Sequence, residues 1–266
     1  MPCVYVACGF EWDGRGLRTA LNGAPTPLLF WPIMQFIEKN SFNVRSAVYR
    51  LQREGSHLEF LIFPMIHVGS REFYEEISRR LSECDVILAE GVKSKRGNIL
   101  TLSYRIVKKI RRMDLITQHE GMKVDDFREK ILNSDMDEQA FDERWSSLPI
   151  RLRAQLFVFV PVYVVYLFLF GTRATLAEYI ALDDLPSADE VLSEDDDFEQ
   201  LDTLLVDERD RKLIEHIARL HDESSEEAQT VGIVYGALHM RAAMAFLLKK
   251  LNYRVAKAEW VKVFDL

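Results

Sequence analysis

The chain has 266 residues, 48% of them hydrophobic, which is enough for one large domain or two small ones. A formal net charge of −8 at neutral pH argues against general affinity for nucleic acid. Three cysteines without CxxC or zinc-finger spacing argue against a disulfide framework and fit a reducing compartment. Residues 1–9 are too short, and lack the basic start, for a secretory signal, so a cytoplasmic protein is expected.

The first predicted unit reads strand, helix, strand. Residues 59–66 are nearly all apolar, as in a strand buried on both faces, and residues 86–89 have the same character. Between them, apolar residues recur every four positions, which predicts a helix with Ser70 as its N-cap. That apolar stripe consists of Phe73, Ile77 and Leu81.

A second unit near the end of the chain repeats this pattern. Residues 231–235 form an apolar run, and a helical pattern follows His239. In both units a histidine follows the first apolar run and an Ala-Glu pair ends the second. His67 leads to Glu90 in the first unit, and His239 leads to Glu259 in the second.

This duplication predicts where polar side chains converge. β-α-β units give parallel strands with a right-handed crossover, and open α/β sheets bind ligands beyond the carboxyl ends of their strands. A lone histidine at a strand end is more often a hydrogen-bonding residue than a ligand, but two units with the same placement favour a shared site. We therefore expect His67, Glu90 and His239 to line one crevice, with Glu259 beside them.

The two units divide the chain into three predicted parts. Residues 1–92 form the N-terminal half of an α/β core with a mostly parallel sheet, and residues 207–266 form its C-terminal half. Residues 93–206 are a large helical insertion between them. It opens with a basic amphipathic stretch. We favour a helix that covers the core, over a lid for an anionic ligand or a helix on a membrane surface. It ends in a stretch rich in Asp and Glu that is typical of a solvated linker.

Within the insertion, residues 154–172 form an apolar segment with no charge between Arg153 and Arg173. A helix of this length could just span the hydrocarbon core of a bilayer, and membrane helices tolerate a proline such as Pro161. A single crossing, however, would separate His67 from His239. The segment is therefore expected to be a buried hairpin or helix, a homodimer contact, or a re-entrant membrane contact.

The residues after 206 resume a helical pattern. Glu208, Arg209 and Asp210 open this helix, where capping and surface ion pairing are their simplest roles. The remaining histidines are expected to lie outside the site: His57, His119, His216 and His221.

The predicted cluster permits two kinds of hydrolytic chemistry. Two neutral imidazoles and a carboxylate, His67, His239 and Glu90, suit a divalent metal ion such as Zn²⁺, Mn²⁺ or Co²⁺, with positions left open for water. Alternatively, Glu90 could orient His67 as a general base without a metal. No GxSxG, HExxH, GxxxxGK[ST] or GxGxxG motif occurs, so serine-hydrolase, zincin, P-loop and dinucleotide sites lack support.

Several short motifs carry a family resemblance: PMIHVGSREFYEEI with CDVILAEGV, DERDRKLIEHI, and VGIVYGALHM. In this order they resemble the TraB/PrgY/Tiki family, within the wider group that includes erythromycin esterases and ChaN. The family's second GxxH motif is intact at Gly236 to His239. Glu90 matches its acidic position, and Arg209 with Asp210 matches its third motif. The first GxxH departs, because Pro64 replaces the glycine.

The resemblance implies a mostly parallel sheet with inserted helices and a hydrolase, in particular a metal-dependent peptidase acting on a peptide or amide bond. It implies His67, Glu90 and His239 as ligands or base, with Arg209 polarising a carbonyl or holding a carboxylate. Pro64 puts the metal geometry at the first motif in question. Two alternatives stay open: a binder that sequesters a peptide or hydrophobic ligand without catalysis, and a metal-free esterase.

Overall fold

The structure is a computed structural model that divides into two compact units, Met1–Met34 and Gln35–Leu266. It describes residues 10–11, 18–19, 34–91, 106, 109–110, 112–134, 138–184, 206, 208–223 and 227–266. In the first unit, β1 (Phe10–Glu11) pairs antiparallel with β2 (Arg18–Thr19).

The second unit holds the remaining elements. Its strands are β3 (Ile37–Lys39), β4 (Asn43–Gln52), β5 (Leu58–Met65), β6 (Val68–Gly69), β7 (Val86–Ala89), β8 (Ile116–Thr117), β9 (Ile131–Asn133), β10 (Gln229–Gly236) and β11 (Arg254–Asp265). Its helices are α1 (Arg71–Ser82), α2 (Gln118–Gly121), α3 (Glu138–Ser147), α4 (Ile150–Phe170), α5 (Arg173–Asp184), α6 (Glu208–Asp222) and α7 (Met240–Lys249).

The central sheet has the strand order β11-β4-β5-β10-β7-β9, and β3 pairs with β4. The pairs β5–β10, β10–β7 and β7–β9 are parallel. β4 is antiparallel to β3, β5 and β11, so every strand of this sheet except β4 runs in one direction. The protein therefore has the mixed α/β fold with a mostly parallel sheet that the sequence predicted.

The first predicted unit is confirmed as β5, α1 and β7. Ser70 caps α1, its Oγ accepting a hydrogen bond from the backbone N–H of Phe73 at 3.2 Å. The predicted stripe is buried, with Phe73, Ile77 and Leu81 at most 1% exposed. β10 lies between β5 and β7, so a strand from the end of the chain fills the gap in this unit.

The second unit follows the predicted order, but its last strand lies elsewhere in the sheet. After β10 and α7, β11 passes β5 and β4 and forms the edge of the sheet against β4. Glu259 lies in the middle of this strand, where it pairs with Arg80 at 3.3 Å and with Lys257 at 3.1 Å. The expectation that Glu259 borders the crevice is wrong, because β11 continues to Asp265 and places Glu259 away from a strand end.

Pro64 lies inside β5 without interrupting the sheet. The register between β4 and β5 ends at Ile62, and Ser46 Oγ instead donates a hydrogen bond to the carbonyl of Pro64 at 2.7 Å. The N–H and C=O groups of one strand residue point to the same side, which for Pro64 is the side of β4. The β4–β5 ladder has already ended there, so the absence of an N–H on Pro64 costs no ladder hydrogen bond.

The predicted insertion is not wholly helical. Its β9 pairs parallel with β7 and extends the central sheet, while its β8 pairs antiparallel with β6. The predictions for the basic stretch after residue 92 and for the acidic linker fall mostly outside the described residues, which resume only in part at 106 and again at 206.

The apolar segment forms one helix, α4, which continues through Pro161 and ends at Phe170, with Gly171 as its C-cap. Leu152 and Leu167 on this helix are buried. Nine other apolar side chains are 45–64% exposed: Phe157, Val158, Phe159, Val162, Val165, Tyr166, Phe168, Leu169 and Phe170. The segment is thus neither a hairpin nor a core helix, and among the described helices it alone is long and apolar enough to cross a membrane.

Candidate active site

Charged side chains gather at the carboxyl edge of the sheet, where β7 and β10 end side by side. Glu90 directly follows β7, and its backbone N–H donates to the carbonyl of Val234 on β10 at 3.0 Å. Its side-chain Oε2 accepts a hydrogen bond from the backbone N–H of Gly236 at 2.6 Å. Both the main chain and the side chain of Glu90 are therefore fixed by the end of β10.

Arg209, in the first turn of α6, supplies the positive charge opposite Glu90. Its Nη2 donates to Glu90 Oε1 at 2.5 Å, and the side chains of Arg209 and Glu90 are only 11% and 16% exposed. The expectation of surface ion pairing for Arg209 is therefore wrong, because the pair is mostly buried where β7 and β10 end. A mostly buried charge-assisted hydrogen bond is stronger than a solvated one.

The next residue on α6 contacts the second histidine. Asp210 Oδ1 lies 2.7 Å from Nδ1 of His239, which is 5% exposed and ends the short 3-10 turn Ala237–His239 after β10. The ring of Tyr235 meets the imidazole edge to face at 5.7 Å. When Nδ1 carries the proton and donates it to Asp210, Nε2 is the nitrogen available to a substrate, a water or an ion.

Opposing effects set the ionisation of Glu90. Burial alone disfavours the carboxylate, but the charge of Arg209, then of His67 and His239, and the N–H of Gly236 outweigh it and lower the pKa of Glu90 to about 2. Glu90 is therefore ionised at neutral pH and serves as the permanent counter-ion of Arg209.

His67 lies in the bend between β5 and β6, and its carbonyl accepts a hydrogen bond from the N–H of Gln118 at 2.9 Å. Its side chain is partly exposed, and its imidazolium form lowers the pKa of Glu90 through its positive charge. His67 and His239 thus act on the same carboxylate, although they follow strands separated by more than half of the chain.

The donor set only partly fits a metal ion. Asp210 orients His239 as carboxylates orient metal-binding histidines, leaving Nε2 as the ligand nitrogen. Glu90, in contrast, has one oxygen on Arg209 and the other on Gly236. Among the described residues, no three His, Cys, Asp or Glu side chains are grouped to hold a metal. In this arrangement Glu90 is a partner of Arg209 and does not fit as a ligand.

A cavity of about 600 Å³ lies at the opposite edge of the sheet, where β5 and β10 begin. Arg53, His57 and Gln229 are among its lining residues, which include none of the residues at the carboxyl edge. Of the other histidines, His221 contacts Arg53 at 2.8 Å, and Nδ1 of His216 lies 2.8 Å from the carbonyl of Lys212. The carboxyl-edge cluster is consequently distinct from this cavity.

Sequence reasoning placed Glu90 and His239 at one edge, and the structure brings them together through Arg209 and Asp210. The direct partner role of Asp210 was missed, because an acidic residue in the first turn of a helix is already explained by the helix dipole. The available signal was that a cation, Arg209, stands next to an anion, Asp210. Such a neighbouring pair can bind an anion and an imidazole that follow two adjacent strands. The hydrogen bond from the Gly236 N–H to Glu90 could not be predicted from residue types, because it is made by the main chain.

No protein-family model matches this chain, and no curated protein or solved structure matches it. The resemblance to the TraB/PrgY/Tiki family stays a prediction that rests on the short motifs.

Proposed function

We propose that this protein is a hydrolase of amide or ester bonds, with His239 as general base and Asp210 as the residue that orients it. The observation that carries this proposal is the 2.7 Å contact between Asp210 Oδ1 and His239 Nδ1 at the carboxyl edge of the sheet. Ligand sites of open α/β sheets lie at this edge. A mostly buried carboxylate on one imidazole nitrogen fixes the tautomer that a general base requires.

The proposed reaction begins with a water molecule at Nε2 of His239. The imidazole removes a proton from the water as its oxygen attacks the substrate carbonyl, and Asp210 stabilises the resulting imidazolium. The proton then passes from Nε2 to the leaving amine or alcohol. No side-chain nucleophile is needed, since the water oxygen forms the new bond to carbon.

Arg209 and Glu90 have a different role from the dyad. Arg209 places a positive charge beside the reacting group, where a tetrahedral intermediate carries its negative charge. Glu90 holds the guanidinium in place and remains ionised because its pKa is about 2. His67, whose charge acts on Glu90, is proposed to bind the substrate carbonyl or its leaving group.

The resemblance described above supports a peptide or amide bond as the substrate. It also keeps a metal-dependent form as the second candidate, favoured by the orientation of His239 through Asp210. In that form His67 and His239 would hold Mn²⁺, Co²⁺ or Zn²⁺, and Glu90 would have to leave Arg209 to join them. The ion would lower the pKa of a bound water.

The test is hydrolysis of a panel of chromogenic esters and quenched fluorescent peptides by the wild type, His239→Gln, Asp210→Asn and a control, His216→Gln. We expect His239→Gln and Asp210→Asn to lower kcat at least about 100-fold, a typical contribution of a general base. His216→Gln should retain activity, because His216 contacts Lys212 outside the cluster.

Chelation distinguishes the two candidates. Activity that survives dialysis against EDTA supports the metal-free reaction. Activity that disappears and returns with Mn²⁺, Co²⁺ or Zn²⁺ would replace it by the metal-dependent one. Full activity of His239→Gln would contradict both, and peptide binding without turnover would favour a non-catalytic binder.

A further inference from the structure

We infer that α4 is a membrane-binding helix that lies in the plane of a bilayer rich in anionic lipid. Its 21 residues extend about 31 Å at 1.5 Å per residue, which gives a long apolar surface. Side chains between Phe157 and Phe170 are 45–64% exposed in nine positions. Contiguous exposed apolar surface of this kind marks a binding site.

The exposed face is too wide for a single helix partner. At about 100° per residue, the nine exposed apolar positions cover roughly 220° of the helix circumference. A helix that packs on one neighbour needs an apolar stripe of only about 100°. Lipid chains can cover the whole face at once, because they surround any surface that enters them.

Charge at the helix ends also favours lipid over a second copy of the chain. Arg151 and Arg153 lie in the first turn, Arg173 follows the last, and no acidic residue occurs between residues 150 and 173. Two copies of this helix would bring arginines together in either a parallel or an antiparallel pair. Anionic headgroups instead offer a complementary charge at both ends, worth about 1 kcal/mol per basic residue.

The backbone carbonyls at the C-terminal end of α4 have hydrogen-bond partners, as a helix end in an apolar environment requires. The last carbonyls of a helix lack partners within it and are costly to expose to lipid. Here Arg112 donates to the carbonyl of Gly171 at 2.7 Å and to that of Phe168 at 2.9 Å. The guanidinium satisfies these groups while it remains near the headgroup region.

The attachment of both flanks indicates that the helix lies in the membrane plane. Before α4, Arg144 pairs with Glu208 of α6 at 2.5 Å. After it, Arg173 donates to the carbonyl of Asp265 at 3.2 Å, and Lys39 of β3 pairs with Glu178. A crossing would place these flanks on opposite sides of a bilayer about 30 Å thick. Because both contact the same folded unit, α4 enters the interface along its length.

The experiment is vesicle flotation of the full chain with phosphatidylcholine alone and with phosphatidylcholine and phosphatidylglycerol at about 3:1. We expect binding to the anionic vesicles and weaker binding to the neutral ones. The variant Val158→Asp/Val165→Asp should bind at least about tenfold less, because each added carboxylate would have to enter lipid when the helix binds, which is costly. Both side chains are more than half exposed, at 61% and 56%, so circular dichroism and Tm should stay those of the wild type.

Two further variants sharpen the result. Phe42→Asp is the matched control, since Phe42 is 78% exposed on the turn between β3 and β4, and it should float like the wild type. Arg151→Gln should lower the preference for anionic vesicles about fivefold, the equivalent of one basic residue.

Other outcomes would overturn the inference. Equal flotation of the wild type and the Asp pair, or no flotation at all, would refute a lipid-binding helix. A dimer in light scattering that the Asp pair converts to monomer, without vesicle binding, would assign the face to a second copy. Trypsin added outside vesicles should cleave on both flanks of α4, and protection of one flank would refute the in-plane arrangement. None of these results depends on hydrolytic activity.

Discussion

Replacement of Arg209 by Gln should destabilise the protein far more than the same change two residues later. Arg209 is the cation that holds Glu90, and both side chains are largely buried. Gln keeps much of the length of the side chain and can still donate a hydrogen bond, but it removes the charge. Of the groups that lower the pKa of Glu90, the Gly236 N–H and the two histidines would then remain.

The magnitude follows from the ionisation of Glu90. Its pKa falls from 4.5 to about 2, and each pKa unit corresponds to about 1.36 kcal/mol, which gives about 3 kcal/mol of stabilisation at neutral pH from all its partners together. Arg209 provides the largest favourable share. Breaking a buried pair also leaves an uncompensated charge, so we expect a loss of about 2–4 kcal/mol in the free energy of unfolding.

The difference should depend on pH in a defined direction. In the wild type the folded-state pKa of Glu90 is depressed, so its contribution is complete above about pH 4.5 and is lost as pH falls towards 2. In Arg209→Gln, burial without the guanidinium raises that pKa. Glu90 of the variant is therefore protonated at a higher pH, and protonation removes the cost of burying an unpaired carboxylate. The gap between the two proteins should be largest at pH 7 and should narrow as the pH is lowered.

Urea unfolding at a series of pH values measures this gap, with Arg211→Gln as the control. Arg211 lies on the same helix and pairs with Glu215 at 2.9 Å, but the two side chains are 63% and 59% exposed. An exposed helical pair of this kind is worth about 0.3–0.5 kcal/mol. Equal effects of the two substitutions at pH 7, or a gap that grows on acidification, would refute the reasoning.

Two packing predictions concern the surroundings of Tyr74. A Cβ on Gly121 would lie 2.2 Å from Cδ2 of Tyr74, so Gly121→Ala should lower the free energy of unfolding by about 1–3 kcal/mol, measured by thermal unfolding. Gly91→Ala is the control, because no atom lies within 4 Å of its added Cβ, and it should change this free energy by no more than about 0.5 kcal/mol. A smaller effect of Gly121→Ala would mean that α2 moves away without cost. The buried Tyr74 hydroxyl donates to the carbonyl of Ile66 at 2.8 Å, and burial raises its pKa, so it remains a donor. Tyr74→Phe should therefore lower the free energy of unfolding in urea by about 1–2 kcal/mol, and an unchanged midpoint would show that the carbonyl finds another partner.

The local parts of the fold could be predicted because their signals lie in consecutive residues. The apolar run of β5, the four-residue spacing on α1 and the cap at Ser70 each require only a short window of sequence. The position of Glu90 directly after β7 followed from the same window. These features needed no knowledge of the rest of the chain, and the structure agrees with them.

The pairings between distant segments could not be predicted in this way. β11 joins the edge of the sheet because β4 presents a partner of similar length, and neither strand encodes that choice locally. Glu259 shares its Ala-Glu context with Glu90, but the strand continues past it. Asp210 has an ordinary explanation on its own helix, and only the placement of α6 against β10 gives it His239 as a partner.

The interleaving of β10 between β5 and β7 has a consequence for synthesis of the protein. The first strand of this trio ends at Met65, whereas the one that separates its neighbours begins at Gln229. At about 5–20 residues per second, a ribosome needs roughly 10–30 s to make the intervening chain. From the completion of β7 until β10 follows, the nascent polypeptide exposes two apolar strand edges to chaperones and to neighbouring chains. It also lacks both the Gly236 N–H and His239, so the cluster at the carboxyl edge can form only when translation has almost finished.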